Sequence, residues 1–208
     1  MSKIKICGVN EAAFAIRAEE LGADYLGLIF AEESPRCVTI GKAREIAAAL
    51  NGSSRLVGVF TTATVGEIAA AAAAVGFGIV QLHRRAASAD IDALKAMGYE
   101  VWSLAGGGEN ADALVFDSSH GDGETVLRRG PFKTVLGGGI SAENLPRAFA
   151  ARADVIDVSG SLESARGIKS IAKLESFWTV WSQLQEGGAA APEAASTSAR
   201  KRQCSIKL

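Results

Sequence analysis

Cysteine is scarce in this sequence: Cys7, Cys37 and Cys204 stand alone among 208 residues without C-x-x-C spacing. So few and so scattered, they point to neither a disulfide framework nor a cysteine-built zinc site, and a reducing compartment is expected. There are only two histidines and no H-x-H or H-x-x-E pattern, so no metal is expected. Positive charge is not in surplus either, because 22 Lys and Arg face 23 Asp and Glu for a net charge of −1. Nucleic acid is therefore excluded as a partner, since its binding needs many phosphates neutralised. No apolar run is long enough for a bilayer: the alanine-rich stretch 67–80 is short and interrupted by glycine. Met1-Ser2-Lys3 leads straight into a strand pattern without the apolar region of a signal peptide. The expectation is a cytoplasmic protein with no membrane association.

What is present is an ordinary globular composition, 48% hydrophobic and 22% charged. Eight β-branched and aliphatic runs recur, at Ile4–Cys7, Tyr25–Phe30, Leu56–Phe60, Gly78–Leu82, Glu100–Leu104, Ala113–Phe116, Thr134–Leu136 and Val155–Val158. Helical patterns separate most of them, at Glu11–Leu21, Gly41–Leu50, Thr64–Val75, Ser88–Met97, Ala142–Ala151 and Ile168–Leu184. Strand then helix, repeated with near-continuous apolar strands, predicts a parallel sheet wrapped by helices. Eight repeats predict a single α/β domain closed as a (β/α)₈ TIM barrel over residues 1–186. After the fifth strand "AGGGENA" leaves no room for a helix, and after the sixth "SSHGDGETVLRRG" allows about two turns at most. Residues 187–208, rich in Ala, Ser, Gly and Pro, are expected to form a disordered low-complexity tail.

In such barrels the active site lies at the carboxyl ends of the strands. Read there, the chain offers Cys7 and Gly8 after strand one, Arg36 after strand two, Gln81 and His83 at strand four and Asp117 after strand six. Strand seven ends in "LGGGIS", residues 136–141, and strand eight in "DVSGSLE", residues 157–163. The backbone amides of these two loops, with a helix N-terminus expected after Ser159–Ser161, form an anion cradle where barrels commonly hold phosphate. Arg36 presents a planar fork suited to a carboxylate, or to a surface salt bridge. Asp117 at a strand end must be hydrogen-bonded or act as an acid. His83 is either a satisfied ring or a ligand contact, and Cys7 either a small buried hydrophobe or a reactive thiol.

The segments "KICGVN", "GLIFAEESPRCV", "VGVF", "VQLH", "FDS", "LGGGISAENL" and "DVSGSLESARGIKS" follow one another from residue 3 to about residue 180. In that order they resemble the landmarks of the phosphoribosylanthranilate isomerase family of tryptophan biosynthesis. The resemblance implies an aldose-ketose isomerase that needs no cofactor. It would convert N-(5-phosphoribosyl)anthranilate to 1-(o-carboxyphenylamino)-1-deoxyribulose 5-phosphate by an Amadori rearrangement. It further implies that Asp117 is the general acid opening the ribose ring and Cys7 the base at C2. Arg36 would hold the anthranilate carboxylate, with His83 and Asp157 among the substrate contacts. Gly137, Gly138 and Gly139, with Ser159, Gly160 and Ser161, would bind the phosphate. The partner is then the small-molecule substrate, and the protein a monomer or homodimer.

Three features depart from the family pattern. The loop after Asp117 lacks the usual aromatic pair, Q-L-H-G reads Gln81-Leu82-His83-Arg84, and D-V-S-S-G reads Asp157-Val158-Ser159-Gly160-Ser161. These leave two alternatives, a degenerate barrel that binds a sugar phosphate without catalysis and a dual-substrate isomerase that also serves histidine biosynthesis.

Overall fold

The structure, a computed structural model, describes residues 1–117, 124–188 and 204–207. Its strands are β1 Lys3–Cys7, β2 Tyr25–Ile29, β3 Arg55–Phe60, β4 Ile79–Leu82, β5 Glu100–Leu104, β6 Ala113–Asp117, β7 Glu124–Leu127, β8 Lys133–Gly137, β9 Val155–Val158, β10 Glu163–Ala165, β11 Ile168–Lys169 and β12 Cys204–Lys207. The helices are α1 Ala12–Leu21, α2 Ile40–Ala49, α3 Val65–Val75, α4 Ser88–Ala96, α5 Leu145–Ala150 and α6 Ile171–Gly188. Eight parallel strands close in the order β1-β2-β3-β4-β5-β6-β8-β9, and they are the eight expected from the apolar runs.

Alternation along each strand sorts the side chains into two layers. Cys7, Tyr25, Val57, Val59, Ile79, Trp102, Ala113, Val115, Val135 and Val155 fill the barrel interior as one cluster. Their neighbours in sequence, such as Ile4, Ile6, Leu26, Leu28, Val80, Leu136 and Ile156, pack outward against the helices. The largest interior ring, Trp102, meets Tyr25 edge-on at 5.1 Å and donates its Nε1–H to Glu100 at 2.9 Å, so its buried nitrogen is satisfied.

Helix ends follow local chemistry. Thr64 and Glu67 form a capping box at the start of α3, and Gly76 ends that helix in the left-handed conformation at φ 92°. Residues 105–112 run as turns from β5 into β6 without a helix, as the glycine-rich sequence requires. After β6 the sequence allowed two helical turns at most, and among the described residues no helix lies between β6 and β8. β7 forms instead and pairs antiparallel with β12, Glu124 facing Lys207 and Leu127 facing Cys204. Thus residues 204–207, expected in a disordered tail, form a strand, and 187–188 belong to α6. Averaged composition concealed Cys204–Lys207, because pairing of a four-residue strand with a distant strand is not a property that composition reports. The loop at 118–123 and the rest of the expected tail, 189–203 and 208, lie outside the described residues.

At the amino-terminal end of the barrel one device appears three times. Asp24, Asp112 and Asp154 each precede a strand and accept a backbone N–H from the start of the strand before it: Ile4 at 2.9 Å, Val101 at 2.8 Å and Thr134 at 2.7 Å. The dipeptide Ala-Asp stands at all three places, its alanine buried. Carboxylates therefore tie neighbouring strands together at this end. Among the described residues no helix is long and apolar enough to cross a membrane.

Candidate active site

Interior positions climb each strand in steps of two, and the topmost step is polar. Above Ala113 and Val115 comes Asp117, above Val155 comes Asp157, and above Ile79 come Gln81 and His83. On β1 both Lys5 and Cys7 face inward. The sheet register sets Lys5 beside Asp157 across the β1/β9 seam and Cys7 beside Gly27 on β2.

Lys5 is fully buried, and its Nζ donates to Asp157 Oδ2 at 2.7 Å. The other oxygen, Asp157 Oδ1, is buried without a hydrogen-bond partner among the described residues. Burial pushes the Asp157 carboxyl up against the pull of Lys5. Burial also opposes the charge on Lys5, yet Asp157 and Cys7 outweigh it and hold the ammonium above its ordinary value. The Cys7 thiol, 8% exposed, is pushed up by burial. A Cβ on Gly27 would stand 3.0 Å from Cys7 Sγ and 3.2 Å from Lys5 Cε, so glycine there makes space for both side chains.

Gly8 explains the abrupt end of β1. Its φ is 73°, and a Cβ would lie 2.5 Å from Arg36 Cδ, so both backbone conformation and contact call for glycine. Arg36 is thereby laid against the mouth. Its Nε and Nη2 donate to Glu163 Oε1 and Oε2 at 2.5 and 3.0 Å. Burial works against ionisation of Glu163, but Arg36, the Gly167 N–H and Lys169 hold its carboxyl down at about 2. The fork that the sequence offered to a carboxylate is in part engaged by a protein carboxylate. Its opposite edge, Nη1 with the second Nη2 proton, makes no hydrogen bond among the described residues.

Across the mouth, His83 Nε2 lies 3.7 Å from Asp117 Oδ2, and His83 Nδ1 lies 3.3 Å from Gln81 Nε2. An amide N–H donating to Nδ1 places the ring proton on Nε2, toward Asp117. The glycine loop bends through Gly138 and Gly139 at φ 91° and 66°. The helix expected after Ser159–Ser161 is a single 3-10 turn, Gly160–Leu162, followed by the hairpin β10–β11. The next α-helix in the chain, α6, starts only at Ile171 and so does not follow this loop directly. The serine hydroxyls are occupied, Ser159 donating to Cys7 O at 3.0 Å and Ser161 to Ile140 O at 2.6 Å. The Ser161 bond ties the two loops together, and the Ser159 bond ties the second of them to the end of β1. The N–H groups of Gly139, Gly160 and Ser161 donate to no protein acceptor among the described residues, which leaves them for an anion.

The structure thus places the residues singled out from the sequence at or just beyond the carboxyl ends of their strands, with Lys5 buried beneath Cys7 and Glu163 and Lys169 buried behind Arg36. The pattern Lys3-Ile4-Lys5-Ile6-Cys7 did put Lys5 on the face of Cys7. Nothing local to Glu163 or Lys169 signalled their parts.

A closed parallel barrel whose carboxyl end carries an acid, a thiol, a guanidinium and open amides defines a (β/α)₈-barrel enzyme for small anionic substrates. The family model described as N-(5'phosphoribosyl)anthranilate (PRA) isomerase matches residues 4–180. N-(5'-phosphoribosyl)anthranilate isomerase of Stutzerimonas stutzeri is 32% identical over 194 residues, 83% of this chain and 93% of that one. The enzyme of that name from Neisseria gonorrhoeae is 34% identical over 195 residues, 84% and 94%. The crystal structure of phosphoribosyl anthranilate isomerase from Thermus thermophilus superimposes with a TM-score of 0.76 at 29% identity, covering 88% of this chain and 99% of its own. The chain belongs to the phosphoribosylanthranilate isomerase family.

Proposed function

We propose that the chain isomerises N-(5-phosphoribosyl)anthranilate to 1-(o-carboxyphenylamino)-1-deoxyribulose 5-phosphate, with Asp117 as acid and Cys7 as base. Asp117 gives a proton to the ring oxygen, the C1–O bond breaks, and the anthranilate nitrogen forms a Schiff base with C1. Cys7 then takes the proton from C2, and the enolamine that results becomes the ketone as C1 gains a proton and the C2 hydroxyl loses one. No electrons leave the substrate, so no cofactor is needed.

The observation that carries this reading is the placement of Cys7 and Asp117 on separate strands of one mouth. Between them lie open amides for a phosphate and an open arginine edge for a carboxylate. The Nη1/Nη2 edge of Arg36 takes the anthranilate carboxylate, while Glu163 fixes the opposite edge. Gly139, Gly160 and Ser161 donate to the phosphate, with Gly137, Gly138 and Ser159 shaping the cradle. Asp157 Oδ1, which lacks a partner among the described residues, accepts the anthranilate N–H, and His83 holds Asp117 in place. The same reading makes the protein a cytoplasmic monomer or homodimer.

Freshly made phosphoribosylanthranilate tests it. Its fluorescence should decay on adding enzyme, and Asp117→Asn should bind the substrate without turning it over. Quenching or binding without decay in the wild type would leave a sugar-phosphate-binding barrel.

A further inference from the structure

The proposed mechanism gives Cys7 a proton to accept, yet the site opposes that state. Burial is the largest influence on the thiol and disfavours its anion, and Asp157 adds to this. A reaction that needs the thiolate needs a cation to offset both. Among the described residues four charged groups act on this sulfur or on its neighbours from the elements packed around it. Lys5 comes from β1, Asp157 from β9, Lys169 from β11 and Arg36 from the segment after β2. Arg36 and Lys169 are committed to Glu163 at 2.5 and 3.1 Å. Across the mouth, Asp117 and His83 act on Asp157 with opposite signs.

Lys5 differs from the other cations. It is fully buried one inward step beneath Cys7, no solvent reaches it, and its charge is the largest influence on the sulfur that opposes burial. A lysine sealed inside a barrel is expensive unless its charge is used. Asp157 holds the ammonium in place at 2.7 Å, and Gly27 leaves Lys5 Cε and Cys7 Sγ side by side.

We propose that Lys5 is a positioning residue of the isomerase, the internal counter-ion of the Cys7 thiolate, with Asp157 anchoring its ammonium beneath the sulfur. The proposal rests on Cys7 acting as the base. It predicts opposite effects for the two halves of the pair, which a merely structural role does not.

Alkylation by iodoacetamide reports the thiolate without any turnover, and peptide-resolved mass spectrometry reads Cys7 separately from Cys37 and Cys204. Lys5→Gln should slow Cys7 alkylation at pH 7 by about tenfold, because loss of an adjacent opposite charge disfavours the anion. Asp157→Asn should speed it several-fold, because a like charge is removed while Lys5 stays. Lys5→Gln/Asp157→Asn leaves no stranded buried charge and so survives if either single variant fails to fold. It should alkylate more slowly than wild type, since Lys5 acts on the sulfur more strongly than Asp157. In folded Lys5→Gln the acid limb of the kcat profile should move upward with the alkylation midpoint. Alkylation unchanged in the variants, or both single variants moving the same way, overturns the proposal. Opposite shifts with full turnover in Cys7→Ser would keep the electrostatic pair and reject Cys7 as the base.

Discussion

The two ends of this barrel use their aspartates differently. At the amino-terminal end every aspartate before a paired strand is spent on a backbone amide, and Glu19 accepts three N–H groups, from Asn51, Gly52 and Ser54. Burial opposes the charge of Glu19, but those amides outweigh it and hold the carboxyl below its ordinary value. At the carboxyl-terminal end Glu163 is likewise engaged, by Arg36, Lys169 and the Gly167 N–H, but Asp157 keeps a buried oxygen with no hydrogen bond among the described residues, and Asp117 lies beside a histidine. A buried polar atom left without a partner costs stability. One end of the barrel is organised for cohesion, the other for a ligand.

The sharpest break between the two ends comes from Cys7→Ser. Losing a positioned base typically lowers a rate by about 10²- to 10⁴-fold, and the small change should leave the melting temperature near wild type. Fluorescence decay and thermal unfolding measured on one preparation check both halves. Turnover close to wild type would move Cys7 from the chemistry to the packing.

Arg36→Ala comes next, with a rise in KM of at least ~30-fold, since truncating one partner of a desolvated charge pair costs about 2–5 kcal/mol. Arg36→Lys should recover only part, because an ammonium cannot hold Glu163 and a second carboxylate on two parallel edges. Affinity for inorganic phosphate should hardly change in either variant. Anthranilate-bearing ligands bound as tightly as by wild type would remove the arginine from the substrate site.

The amino-terminal end should give the reverse signature. Asp154 accepts from both the N–H and the hydroxyl of Thr134, each at 2.7 Å. Asp154→Ala should therefore lose about 2 kcal/mol, with the melting temperature falling by about 4–8 °C. Its kcat and KM should match wild type, and a loss of activity at full stability would contradict the division between the ends.

A further test is a pH dependence at the Arg36 clamp. The Glu163 carboxyl is held at about 2 in the folded chain against an ordinary 4.5. A carboxyl lowered by folding contributes stability that is fully present above its unfolded value and lost as pH falls toward its folded value. Between about pH 4.5 and 2 the denaturant midpoint should drop more steeply in wild type than in Glu163→Gln. Parallel curves would show that the clamp does not contribute to stability.

Much of the molecule was legible in one dimension. Apolar runs bounded by glycine and Ala-rich helical patterns made eight strands recognisable. "AGGGENA" rightly excluded a helix after β5, and the polar residues at strand ends marked the mouth. Three of the four Ala-Asp pairs, at 23–24, 111–112 and 153–154, were equally visible in the sequence and passed unread, since a two-residue repeat means little until it falls before three strands. The 3-10 turn after Ser159 could not be foreseen. "SGSLESARGIKS" has helix-compatible residues, and only the pairing of Glu163 with Lys169 makes a hairpin of them.

By itself the sequence determined the period of every strand, the length of every connection and the glycine at position 8. These depend on side-chain alternation and on backbone conformations that neighbouring residues set among themselves. Closure of the barrel decided the rest. Only when β1 meets β9 does the face of β1 that carries Lys5 become the inside, and only then does a lysine 152 residues from Asp157 in sequence become its partner at 2.7 Å. Whether Arg36 offers one edge or two was settled in the same way by Glu163, 127 residues further on. Charge pairing acts through space and depends on the distance between the groups, so it belongs to the fold and not to the spacing along the chain.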